Sequence, residues 1–108
     1  MSENPLANMG NLLKQAQAMQ EKLGKLQEDA AAKTVRASAG GGMVTVTATG
    51  GMRIAKVEIA PEVLKADDPD MVQDLLVAAT NEALRKAKDL MAAEMKGLTG
   101  GLGFPGIL

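Results

Sequence analysis

The sequence predicts a single α+β domain in which two long helices flank a three-stranded antiparallel meander, in the order α-β-β-β-α. Three features predict this order: a seven-residue apolar repeat near the start, three short alternating runs separated by glycines, and a second amphipathic run behind DDPD. A chain of 108 residues has room for one core. We place that domain at residues 9–96, between a flexible N-terminus at 1–8 and a mobile Gly-rich tail at 97–108.

The first helix begins either at Pro5, with Asn4 as its N-cap, or at Asn11 if Gly10 delays it. If it runs from Pro5 to Ala32, it is about 40 Å long. Such a helix is long for so short a chain. We expect part of it to project from the domain as an arm.

The repeat in this helix forms one apolar seam with steps of three and four residues. Its flanking positions Leu13, Gln20 and Gln27 lack the charges that specify an autonomous zipper. We therefore expect the seam to pack on a sheet or on a partner helix. The seam consists of Met9, Leu12, Ala16, Met19, Leu23, Leu26 and Ala30.

Three strands are predicted at residues 34–39, 43–49 and 53–59, where β-branched residues alternate with polar ones. The first two strands each direct apolar residues to one face: Val35, Ala37 and Ala39, then Val44, Val46 and Ala48. Two glycine clusters between the runs supply the positive φ angles of tight hairpin turns. Pro61 ends the third strand.

The second helix is predicted to start at Pro69, with Asp68 as its cap and further acidic residues near the positive end of its dipole. Its apolar stripe is rich in alanine and allows another element to approach closely. We expect this helix to end near Lys96 and Gly97. The stripe comprises Val72, Leu76, Ala79, Ala83, Ala87 and Leu90.

The composition excludes several classes of protein. The chain has no cysteine and no histidine, so it lacks disulfides, thiolate nucleophiles and the usual zinc ligands. No apolar run is long enough to span a bilayer, and the N-terminus has no signal pattern. We therefore expect a cytoplasmic protein with no membrane partner.

The chain is also poor in large side chains for its core, with one Phe and no Tyr or Trp. Aliphatic residues and eight Met must fill the interior instead. Because small domains bury a limited share of their surface, we expect the chain to recruit a second copy as an obligate homodimer.

No arrangement of catalytic residues is evident, since no histidine stands ready to activate a Ser or Thr. We expect no enzyme, no cofactor and no small-molecule substrate. Asp67, Asp68 and Asp70 suggest a divalent-metal or acid–base site, but a helix N-terminus explains them better. We therefore expect no metal.

Four basic residues of the helices have an acidic neighbour one helical turn away. Glu21, Lys25, Asp29 and Lys33 form such a ladder, and Glu82–Lys86 and Arg85–Asp89 are spaced likewise. Lys14 and Lys22 have no such neighbour. Solvated helix faces explain this pattern more simply than a phosphate-binding surface. If nucleic acid is the partner, the lack of aromatics favours a duplex held through its phosphates.

Three longer segments are together typical of one family. They are GNLLKQAQAMQEKLGKLQED, GGGMVTVTATGGMRIAKVEI and IAPEVLKADDPDMVQDLLVAATNEALRKA, in register over about residues 9–95. In this combination the chain resembles the YbaB/EbfC family of bacterial nucleoid-associated proteins. Ala60 stands where the family often has Asp, and the net charge of −1 departs from the basic character of most nucleoid proteins.

The resemblance implies a homodimer with a shared β core and protruding helical arms that bind duplex DNA. It also implies nucleoid compaction or bridging and broad effects on gene expression. The family's DNA contacts are attributed mainly to the helices. The matched positions here are Lys14, Lys22, Lys25, Arg85, Lys86 and Lys88.

We therefore predict a non-enzymatic, homodimeric nucleoid-associated protein that binds duplex DNA in the bacterial cytoplasm, mainly through backbone contacts from its helices. The alternative is a protein-interaction scaffold whose amphipathic helices bind a partner, with incidental DNA affinity. The apolar seam and the acidic charge balance favour that alternative.

Overall fold

Two long helices, a three-stranded sheet and one short helix make up the described chain. The computed structural model describes the backbone of residues 5–101 and the side chains of residues 8–97. The elements are α1 (Pro5–Ala32), β1 (Thr34–Ala39), β2 (Val44–Thr49), β3 (Ile54–Ile59), α2 (Pro61–Lys65) and α3 (Pro69–Gly101). This order confirms the predicted α-β-β-β-α arrangement, with α2 as an addition.

The strands form an antiparallel meander in the order β1-β2-β3. Ala37 pairs with Val46, which in turn pairs with Val57, so apolar residues of all three strands share one face. The turn between β1 and β2 contains three consecutive glycines with positive φ, at residues 40–42. Glycine adopts this conformation without the steric penalty of a Cβ atom, so this turn closes as predicted.

The core lies between this sheet face and α3. Ala79, Ala83 and Ala87 recur every four residues along one side of α3 and are fully buried. They pack against Val44 and Val46, which are also fully buried. The predicted alanine stripe and the predicted strand faces are both confirmed. The main contacts of α3 are with β1 and β2, so within the described chain β3 lies at the uncovered margin.

The connection before α3 holds one element that the sequence analysis missed. Pro61 was expected only to end β3, but it also occupies the first turn of α2, where a missing N–H costs nothing. Val63 of this helix is buried. Asp68 then caps α3 as predicted, since its Oδ1 accepts a hydrogen bond from the Met71 backbone N–H at 3.2 Å.

The structure fixes two helix ends. α1 begins at Pro5, the earlier of the two predicted starts, whereas α3 continues to Gly101, beyond its predicted end near Gly97. The remainder of the predicted termini, residues 1–4 and 102–108, lies outside the described residues. Among the helices described, none combines the length and apolarity that a membrane span requires.

The outer half of α1 projects far from the sheet. The Cα radius of gyration is 21.8 Å and the longest dimension is 83 Å, whereas a compact domain of this size has a radius near 13 Å. Residues 11–22 are exposed on every side, and only from Leu23 onward does α1 become partly covered. We call residues 8–25, which extend from this exposed stretch to the exposed Lys25, the arm.

The arm is fixed to the domain at a joint formed by Ala30, Lys33 and Gly50. The Gly50 N–H donates a hydrogen bond to the Lys33 carbonyl oxygen at 2.9 Å. A Cβ atom on Gly50 would lie 2.0 Å from the Ala30 carbonyl oxygen. The prediction that the second glycine cluster supplies a positive φ is wrong, because the positive φ of this turn falls on Met52. Gly50 is needed for close approach instead.

An ion pair at the same joint corrects the predicted charge ladder. The Lys33 ammonium pairs with Glu94 of α3 rather than with Asp29 one turn away. This pair links the carboxyl end of α1 to α3, in addition to the contacts between the two helices.

Replacing Gly50 with alanine should destabilise the protein by about 1–3 kcal/mol or more, because the added methyl group overlaps a backbone carbonyl that cannot move independently. Urea unfolding followed by circular dichroism measures this change. Gly24→Ala is the matched control. Its Cβ atom meets nothing within 4 Å, so it should stabilise α1 by about 0.5–1 kcal/mol. A Gly50→Ala protein as stable as the unaltered one would contradict the assignment of the joint.

Candidate nucleic-acid interface

The exposed outer part of α1 carries three of the predicted DNA-binding residues. Lys14, Lys22 and Lys25 are all exposed. At 3.6 residues per turn they fall within a sector of about 80° around the helix axis. None of them forms an ion pair with a described side chain. Their charges are therefore available to an external anion.

This segment has a charge opposite in sign to the rest of the chain. Residues 8–25 contain three lysines and one glutamate, a net charge of +2, whereas the remainder contains nine basic and twelve acidic residues, a net charge of −3. The overall charge of −1 is therefore the sum of a basic region at one end of an elongated molecule and an acidic remainder. A basic region of this kind attracts phosphates even where the whole protein is acidic.

Arg85, predicted as a DNA contact on α3, is enclosed by two carboxylates. Its Nε donates to Glu82 Oε2 at 3.1 Å and its Nη1 donates to Asp89 Oδ2 at 2.9 Å. The hydrogen bond from Arg85 lowers the pKa of the Glu82 carboxyl group, and the same contact raises the pKa of the Arg85 guanidinium. A phosphate would therefore have to compete with two anions for this side chain.

The other two predicted residues of α3 differ from each other. The Lys86 ammonium donates a hydrogen bond to the Arg36 carbonyl oxygen of β1 at 3.0 Å, so it is held against the sheet. Lys88 is exposed, and no described side chain forms an ion pair with it. Of these three cations, Lys88 is the one most accessible to a phosphate.

Within one chain the two groups of basic residues do not form one patch. The contact between Lys33 and Glu94 gives a common reference point at the joint. Lys25 lies eight residues from Lys33 toward the arm, about 12 Å, and Lys88 lies six residues from Glu94 toward the sheet, about 9 Å. Lys14 is a further 16 Å or so along the arm. The two groups are therefore separated by about 20–40 Å.

Two basic residues at β3 were not considered in the sequence analysis. Arg53 and Lys56 are exposed, and neither forms an ion pair with the side chains that the structure describes. The nearest acidic residue in sequence, Glu58, is instead bound by Arg36 Nη2 at 3.3 Å. The strand alternation, which places Lys56 and Glu58 on the polar face with Arg36, was the available signal.

The acidic residues before α3 lie at a helix N-terminus, as the sequence analysis expected. Asp68 serves as the helix cap. In the described part of the chain, no group of three or more His, Cys, Asp or Glu residues is arranged to hold a metal ion.

Comparison with known proteins links these features to a family. The chain is 54% identical over 101 residues to a nucleoid-associated protein of Acetivibrio thermocellus, covering 93% of this chain and 89% of that one. It is 48% identical over 100 residues to a nucleoid-associated protein of Thermoanaerobacter pseudethanolicus, with 93% and 90% coverage.

The fold is also found in a solved structure. The crystal structure of an uncharacterized protein from Helicobacter pylori superposes with a TM-score of 0.59 at 22% sequence identity, covering 81% of this chain and 96% of that one. This similarity concerns the fold alone. The family model for YbaB/EbfC DNA-binding proteins matches residues 5–102, which include α1, the sheet and α3. The chain belongs to the YbaB/EbfC DNA-binding family.

Proposed function

We propose that the protein is a homodimer that binds duplex DNA, mainly through phosphate contacts from its helices, and that it acts at the nucleoid in chromosome organisation and the regulation of gene expression. One observation carries this proposal: residues 8–25 of the projecting helix have a net charge of +2 and carry three exposed lysines that have no ion-pair partner among the described side chains. The relatives described as nucleoid-associated proteins support the cellular role.

The spacing of the arm lysines suits a phosphate backbone. Lys14 and Lys25 are eleven residues apart, about 16 Å along the helix. Successive phosphates on one strand advance by about 3.4 Å along the duplex axis, so the three lysines span about five of them. Flexible lysine side chains bind phosphate as point charges, without reading the bases. We therefore expect contacts with little sequence preference from this face.

Changing Lys14, Lys22 and Lys25 together to Gln should weaken duplex binding, because each lysine that neutralises a phosphate releases counterions on binding. The slope of log affinity against log salt should fall by about 0.9 for each phosphate that is no longer neutralised, or about 2.7 per arm. Gel-shift titrations on one short duplex at several salt concentrations measure both quantities. Unchanged affinity and slope would contradict the assignment to the arm.

Arg85, Lys86 and Lys88 provide a control set with the same number of charges. Two of the three already have partners within the chain, so their combined change to Gln should reduce the salt slope less than the arm variant does. Circular dichroism establishes that both variants are folded. If the α3 variant bound more weakly than the arm variant, α3 would be the principal DNA contact.

Changing Glu82 to Gln and Asp89 to Asn should tighten duplex binding, because Arg85 is released from two carboxylates while its own charge is kept. The salt slope should steepen by up to about 0.9 per chain if Arg85 then reaches a phosphate. Repeating the pair of changes in an Arg85→Gln background separates this effect from the general reduction of acidic charge. Equal tightening in both backgrounds would show that Arg85 makes no contact.

The proposed homodimer is supported by the uncovered margin of the sheet. β3 is an edge strand with unpaired backbone groups along one side. Val57 shares a face with the buried Val46, yet it is 45% exposed, and Ile54 is 42% exposed. A second copy placed against β3 would cover apolar side chains and pair a strand edge in one contact. The shared β core implied by the family resemblance fits this surface.

Replacing Val57 with lysine should raise the dimer dissociation constant at least about tenfold, because a charge would then enter the covered apolar surface. Sedimentation equilibrium distinguishes the 11.2 kDa monomer from a species of twice that mass. Thr45→Lys is the matched control, since that residue lies on the polar face of the neighbouring strand and pairs with Glu58. A Val57→Lys protein that remained fully dimeric at low concentration would rule out this interface.

A further inference from the structure

The arm carries an uncovered apolar surface on the side away from its lysines. We call it the arm seam, and its residues are Met9, Leu12, Leu13, Ala16 and Met19. Met9 is 57% exposed, Leu12 63% and Leu13 62%. Met19, nearest the domain, is 37% exposed, so the seam is most open at its outer end. The DNA-binding function does not account for this surface.

The apolar repeat continues beyond the point at which contacts within the chain end. Nearer the joint, Leu23 and Leu26 are half-buried and Ala30 is fully buried. The same steps of three and four continue outward through Met19 to Met9. A regular stripe of this kind fits a helical partner, whose side chains interlock at the same spacing.

We propose that the arm seam pairs with the arm seam of a second copy in antiparallel orientation and thereby joins DNA-bound copies to one another. The seam is complementary to itself when reversed. If the two-fold axis passes at the level of Lys14, Met9 lies opposite Met19 of the second copy, and Leu12 lies opposite Ala16. Large residues then face small or flexible ones, and each copy contributes the same patch, as in any two-fold symmetric contact.

The charges of the arm permit this pairing. Gln15 and Gln17 flank the seam, so no like charges face each other along the centre of the contact. Lys22 lies beyond the end of the paired segment in the same register. Lys14 and Lys25 are on the far side of each helix, at roughly 100–180° from the seam residues. One arm can therefore hold phosphate on one face and a second arm on the other.

The small size of the contact makes the pairing weak unless the copies are concentrated, and binding to DNA concentrates them. Five side chains per helix are far fewer than the roughly 20–30 residues per side of a stable interface, so free copies pair weakly. Copies held on one duplex, or on two adjacent duplexes, have effective concentrations that reach the millimolar range. The inference rests on the proposed DNA binding in this respect alone, since the contact itself needs no DNA.

Cysteine cross-linking tests the contact and its direction without DNA. The chain has no cysteine, so single substitutions report proximity without background. Met9→Cys and Met19→Cys proteins are mixed at high concentration and treated with a short bismaleimide. The mixture should yield at least about fivefold more cross-linked dimer than either protein alone, because identical positions lie about 15 Å apart along an antiparallel pair. Lys25→Cys, on the far side of the helix, should give only background.

Bridging of two duplexes tests the consequence. Changing Met9, Leu12 and Met19 to Gln removes three of the five seam side chains while keeping the net charge and a similar helix propensity. Capture of a fluorescent duplex by a bead-bound duplex should fall about tenfold, whereas affinity for a short single duplex should change less than about twofold. The control changes Leu64 and Val77 to Gln, since these residues are equally exposed but lie elsewhere at 63% and 60% exposure. Its capture should match that of the unaltered protein.

The outcomes separate this inference from the proposed function. Unchanged capture by a folded seam variant, or no more cross-linking in the mixture than in Lys25→Cys, overturns the pairing. Preferential cross-linking of Met9→Cys with itself overturns the antiparallel arrangement. Slow maleimide labelling of Met9→Cys without cross-linking shows that another segment covers the seam, which also overturns it. Absence of duplex binding by the unaltered protein contradicts the DNA-binding function instead, and the cross-linking result still decides the pairing.

Discussion

The close packing of the α3 alanine stripe on β1 and β2 determines most of the remaining structure. Ala79, Ala83 and Ala87 have no atoms beyond Cβ, so the helix lies near the sheet and leaves Val44 and Val46 without solvent contact. A helix that approaches so closely covers a narrow strip. The third strand therefore remains outside the strip, and the core of a single chain stays small. Small cores leave a domain dependent on further contacts, which here are available at β3 and along α1.

The residues that form the packed domain and the residues that are exposed to a partner lie in different parts of the chain. The acidic majority surrounds the sheet, where Arg36 and Arg85 are compensated by neighbouring carboxylates. Three of the twelve basic residues lie within residues 8–25 of the projecting helix, where their charges meet solvent and one acidic residue accompanies them. Apolar and basic residues also separate around the circumference of that same helix. A long amphipathic helix with little of its own protein to cover it can thus present two chemically different faces at once.

Much of the fold could be predicted because the relevant signals are local. Period-two alternation predicts the strand faces, the seven-residue repeat predicts α1, and Asp68 predicts the start of α3. What could not be predicted depends on distant contacts. Lys33 pairs with Glu94, 61 residues away, and Lys86 binds a carbonyl oxygen 50 residues away. Local spacing predicts partners on their own helices for both lysines. Only the packed structure shows which lysines, such as Lys14 and Lys22, are exposed and form no ion pair with a described side chain.

The joint at Gly50 has a mechanical consequence. The arm is held there by backbone atoms in close contact, a carbonyl oxygen against a glycine and one N–H···O bond, together with one ion pair to α3. From Ala30 to Asn8 the helix extends about 33 Å, so a rotation of about 10° at the joint would displace the far end by about 6 Å. That displacement is nearly two phosphate steps of about 3.4 Å each along the duplex axis. The joint therefore determines the direction of the arm. Because Gly50 has no side chain, α1 can lie close enough to the sheet to take this direction.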